Sequence, residues 1–222
     1  MGTSAILSLL PAPAVAVALY LLFRYKYTNG NFSLLYKTFL FGIAGIVPIY
    51  IIDQVIIKLH LDHLHSLNRT VFYAFVLTGG VYELCKFLVL KIFVYPSKQI
   101  HKTIDVIFYS IIIAAGFTTA YSVYALFFAP AYISVALYAI SIGPVFVSIA
   151  IIMGYFTGIA LNRKFPLTDF VTGLFIAIVF HGIYRFCLLT TDTLLLYLAM
   201  GGMLVTAVTF IVFSLRNAED LN

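Results

Sequence analysis

Runs of about twenty apolar residues recur seven times along this chain, at about 5–23, 38–59, 70–95, 105–129, 131–161, 167–190 and 193–215. A helix needs about 20 such residues to cross a bilayer's hydrocarbon core. The spacing therefore predicts about seven transmembrane helices with short connections. The strands of a membrane barrel alternate apolar and polar residues over about ten positions, whereas Ile111 to Ala115 and Leu194 to Leu198 are apolar on every side. A soluble domain is excluded on composition: 63% of residues are hydrophobic and 9% are charged, against about 45–50% and about 25% in soluble chains. The expected fold class is all-α, a polytopic membrane helical bundle forming a single integral membrane domain over residues 1–222. The first run ends at Arg24, with no basic leader before it and no Ala-x-Ala cleavage pattern. It reads as a retained first span.

The cations orient the bundle. Arg24, Lys26 and Lys37 bracket the first connection, Lys91, Lys98 and Lys102 the third, Arg163 and Lys164 the fifth, and Arg216 follows the last run. The other connections carry little besides Lys58 and Arg69. Positive loops stay in the cytoplasm, which puts the N-terminus outside and the C-terminus inside. The net charge of +5 is accounted for by this loop placement, so membrane lipids are the expected surroundings and nucleic acid is not an expected partner. Cys85 and Cys187 both fall in apolar runs and read as small hydrophobes rather than a disulfide. Gly79–Gly80, Gly154-x-x-x-Gly158 and Gly201–Gly202 read as points of close helix approach.

Charged side chains in mid-bilayer are costly and belong inside the bundle. Glu83 and Lys86 lie near the middle of the third run, and His181 and Arg185 lie in the sixth. Spacings of three and four put each pair on one helical face. Asp53, Asp105 and Asp169 read instead as helix-start acids or rim charges. The outer connection holds His60, Asp62, His63 and His65 as HLDHLH. That spacing matches no recognised zinc pattern, so His60, His63 and His65 are only weak metal candidates, and His101 reads as solvated.

The stretch from Gly79 to Pro96, GGVYELCKFLVLKIFVYP, then Asp105 to Ser122, DVIFYSIIIAAGFTTAYS, then GPVFVSIAIIMGYFTG at Gly143 to Gly158 and FHGIYRF at Phe180 to Phe186, resembles the PrsW family of bacterial intramembrane metalloproteases. The order and spacing match from the second span onward. The resemblance implies a multi-pass protein of the bacterial cytoplasmic membrane. It also implies a site built from Glu-Glu-x-x-Lys on one helix, a Glu-Asn pair after Gly-Phe, a His ahead of Met-Gly, and His-Gly-x-Tyr-Asp, which together hold zinc and activate water.

On that pattern this chain reads Tyr82-Glu83-Leu84-Cys85-Lys86, keeping the second Glu and the Lys. The Glu-Asn pair reads Tyr121-Ser122, the metal-site His falls at or next to Phe146, and His181 is kept while the Asp four residues on is Arg185. Two donors, Glu83 and His181, rarely retain zinc, and Lys86 and Arg185 oppose a divalent ion. No cofactor is therefore expected and no catalytic residue is assigned. Tyr82, Glu83, Lys86, Tyr121, His181 and Arg185 are expected to form a structural polar cluster, in which Glu83 pairs with Lys86 and with a cation on the His181 helix.

The reading that follows is a catalytically inactive PrsW-like scaffold that binds a membrane protein partner or client helix. The non-catalytic Aph subunit of gamma-secretase is a precedent by resemblance. The alternatives are an active peptidase using Glu83 and His181, or a small transporter lined by the same ionisable residues. No inverted repeat supports the transporter.

Overall fold

The computed structural model describes residues 21, 32–62, 64–128 and 135–219. The run at 5–23 lies almost wholly outside them. Among the described residues every regular element is helical: α1 (Phe32–Ala44), α2 (Ile46–Lys58), α3 (Leu67–Phe72), α4 (Val81–Val89), α5 (Thr103–Phe128), α6 (Val135–Ile159), α7 (Leu167–Thr190) and α8 (Thr193–Glu219). Two π-helical stretches, Tyr73–Gly80 and Leu90–Val94, flank α4, and a short 3-10 turn, Ala160–Asn162, follows α6.

Among the described residues five helices are long and apolar enough to cross a membrane: Ser33–Lys58, Thr103–Tyr124, Ser141–Asn162, Leu167–Thr190 and Thr193–Arg216. The stretch from Leu67 to Val94, which carries Glu83 and Lys86, stands apart from those five and runs through α and π geometry in turn. The 38–59 run is interrupted at Gly45, between α1 and α2.

The centre of the bundle is α5, with 83% of its apolar window buried, followed by α6 at 72%. The α1–α2 pair and α8 lie outermost, each with only 17% of its window covered. A helix that is apolar all round has no preferred face, so it suits either the bundle centre or the lipid. Small residues decide the close contacts. A Cβ built on Gly154 would come within 2.7 Å of Ile107 Cα, and one on Gly158 within 2.8 Å of Thr103 Cα, so α5 and α6 cross with their backbones nearly touching. Among the described residues nothing lies within 4 Å of a Cβ built on Gly201 or Gly202.

Candidate functional site

The π-helical stretch Tyr73–Gly80 leads into α4 and sets the register of the polar centre. Its wider turns are tied by the Thr78 hydroxyl, which donates to Ala74 O at 2.8 Å. Gly79 and Gly182 let this stretch and α7 meet without side chains between them: a Cβ on Gly79 would lie 3.2 Å from Gly182 N, and one on Gly182 only 2.3 Å from the Phe75 ring. His181, next to Gly182, is thereby brought onto α4.

Glu83 lies in the first turn of α4 and Lys86 one turn further along the same face. They are 0% and 4% exposed, and His181 is 2% exposed. The Glu83 Oε1 atom takes two partners, the Lys86 ammonium and His181 Nδ1 at 2.5 Å. Burying a charge is tolerable only when it is paired and hydrogen-bonded, and here one oxygen meets a cation on its own helix and an imidazole on α7. Glu83 Oε2 is buried and accepts no hydrogen bond among the described residues. The Lys86 ammonium also sits 4.6 Å from the Phe146 ring centroid and 5.2 Å from that of Phe117, close enough for cation–π attraction in a dry site.

The other members of the expected cluster surround this node. Tyr82 meets His181 edge-on at 5.6 Å between ring centroids, and Tyr121 meets Tyr82 at 5.4 Å. Arg185 on α7 is set against Glu83 in the sequence reading. In the structure Glu83 pairs with Lys86 and His181, while the Arg185 guanidinium lies 5.9 Å from the Tyr73 ring centroid.

Asp53 is the residue that sequence reasoning undervalues. Its Oδ2 accepts hydrogen bonds from Tyr124 at 3.2 Å and Tyr82 at 3.4 Å. Tyr82 thus touches both carboxylate sites, through its hydroxyl to Asp53 and its ring edge to His181. The only signal for this in the sequence is an acid within an apolar run, and its tyrosine partners are 29 and 71 residues away. The two other acids are local. Asp105 Oδ2 accepts from the backbone amides of Lys102 and His101 at 3.0 and 3.1 Å, and Asp169 lies 4.0 Å from Arg163 Nε.

Zinc needs three or four N, O or S donors converging at about 2 Å. Among the described residues no three His, Cys, Asp or Glu side chains form such a group. The positions that would complete it carry Tyr121, Ser122 and Phe146, and the Phe146 ring packs 5.0 Å from His181. The retained donors are engaged with each other and with an ammonium, so the residues present do not fit the ion. In the outer connection His60 and His65 are exposed, and His63 lies outside the described residues. Cys85 and Cys187 are free thiols.

Comparison with known proteins bears on this geometry at the level of the whole chain. The model for "PrsW family intramembrane metalloprotease" matches residues 30–215. The chain is 27% identical over 210 residues to Protease PrsW of Shouchella clausii (strain KSM-K16), covering 94% of each protein. No solved structure matches it. With a helical membrane architecture and a family match over most of its length, the chain belongs to the PrsW family of intramembrane metalloproteases and is a multi-pass bacterial membrane protein.

Proposed function

We propose that this chain is a catalytically inactive member of its family that works as a scaffold, binding a membrane protein partner or a client helix. The observation that carries the reading is the state of Glu83. A carboxylate serving as general base must reach a water and take its proton, whereas Glu83 Oε1 is bound by Lys86 and His181 inside a fully buried site. An ammonium at that place stabilises the carboxylate but repels a divalent cation. The aromatic packing of Tyr82, Tyr121 and Phe146 fills the space that additional ligands would need.

In this reading the whole chain is one membrane domain of about seven helices in the bacterial cytoplasmic membrane, with the N-terminus outside and the C-terminus inside. The charge asymmetry of the connections supports that orientation. One observation favours a second reading, an active peptidase in which Glu83 is the general base and His181 a ligand or acid: Glu83 Oε2 is left without a hydrogen bond among the described residues.

Metal analysis of the protein purified in detergent separates the two. The scaffold reading expects no stoichiometric zinc after exposure to zinc and desalting. About one zinc per chain, lost on His181→Ala, would overturn it.

A further inference from the structure

Two connections distant in sequence meet at one end of the bundle. The Tyr95 hydroxyl donates to Ala160 O at 3.3 Å, across 65 residues, and the Tyr95 ring packs edge-on against Phe170 at 5.1 Å. Thr103 lies against Gly158. The connection carrying Lys91, Lys98 and Lys102 thus lies at the same end of the bundle as the one carrying Arg163 and Lys164. Among the residues whose side chains are described, the carboxylates at this end are Asp105, which accepts from the amides of His101 and Lys102, and Asp169, which lies 4.0 Å from Arg163. Five cations thus stand beside two described carboxylates. The opposite end differs, where Asp62 and Asp192 accompany Lys58 and Arg69.

The basic end also carries apolar groups placed for a bilayer. Phe165 is 74% exposed and Leu167 66% exposed, and they flank the start of the span Leu167–Thr190. The Lys164 ammonium lies 5.7 Å from the Phe165 ring centroid, and Lys98, Arg163 and Lys164 are exposed. Exposed cations beside an exposed aromatic ring at the edge of a span match the two halves of a phospholipid, its phosphate and the top of its acyl chains.

We propose that this rim is a binding site for an anionic phospholipid, with Lys98, Arg163 and Lys164 holding the headgroup phosphate and Phe165 set into the acyl region beneath it. The reading stands independently of whether the chain is catalytic. It distinguishes a localised site from the diffuse attraction that any basic loop exerts, because it names three residues from two connections that must act together.

The chain contains no tryptophan, so Phe165→Trp supplies a single fluorescent reporter at the proposed site. The full-length variant is placed in nanodiscs of phosphatidylcholine containing one-fifth brominated lipid, either phosphatidylglycerol or phosphatidylcholine. A site gives about threefold stronger quenching by the brominated phosphatidylglycerol. That excess is expected to vanish in Lys98→Gln/Arg163→Gln/Lys164→Gln and to persist in Lys58→Gln, with thermal unfolding in detergent checking that each variant is folded. Should the triple variant not fold, Lys164→Gln alone is expected to reduce the excess by about half. Equal quenching by both lipids, an excess that survives the triple variant, or an equal loss in Lys58→Gln would each overturn the proposal.

Discussion

Glu83 and Asp53 are both carboxylates set among apolar helical residues, but one is held by a cation and an imidazole and the other by two hydroxyls. Glu83 is wholly buried and binds Lys86 and His181. Asp53 is half-buried and accepts from Tyr82 and Tyr124. The cost of a buried charge falls steeply as water or polar surroundings become accessible, so neutral donors suffice at the more open site while the closed one requires a counter-charge. On that ground loss of a Glu83 partner is expected to cost the bundle more than loss of an Asp53 partner.

That ranking can be broken by mutation. Lys86→Met should have the largest effect, about 3–5 kcal/mol of lost stability, because it leaves a buried carboxylate without its ammonium. Combining it with Glu83→Gln should recover part of the loss, since the charge then disappears along with its partner. Thermal unfolding of both variants in detergent measures this, and strictly additive losses would contradict the pairing. At the more open site Asp53→Asn should cost less, about 1–2 kcal/mol, and Arg185→Met in the same background should add less than it does alone if the two groups sense each other. Tyr124→Phe, which removes one hydroxyl from a half-buried acceptor, should cost about 1 kcal/mol or less. If Tyr124→Phe proved as damaging as Lys86→Met, the contrast between the sites would be lost.

The same contrast explains which features can be read from the residues alone. Glu83 and Lys86 are three apart on one helix, so their pairing follows from helical periodicity. The 167–190 run coincides with α7, and the 105–129 and 193–215 runs begin within two residues of α5 and α8, because membrane helices announce themselves by length. The π geometry on either side of α4 and the interruption at Gly45 have no comparable signature. Asp53 is illegible for a different reason. Its partners arrive from two other helices, and no local pattern encodes that meeting.

Mean hydropathy misleads in a similar way about which helices lie inside. The helix α8, one of the two least covered spans, is more apolar than the buried α5. Lipid and protein interior are equally apolar, so hydropathy does not separate them. The positions that do are glycines where backbones meet, as Gly154 and Gly158 do against Ile107 and Thr103.

The central claim, that Glu83 is a structural anchor rather than a catalytic base, is tested most directly by comparing wild-type protein with Glu83→Gln for thermal stability and for cleavage of a membrane-spanning substrate in the same lipid. The account predicts no cleavage by either protein and a clear fall in unfolding temperature for Glu83→Gln, because Lys86 loses its buried counter-charge. Cleavage by the wild type that Glu83→Gln abolishes, with the unfolding temperature unchanged, would contradict it.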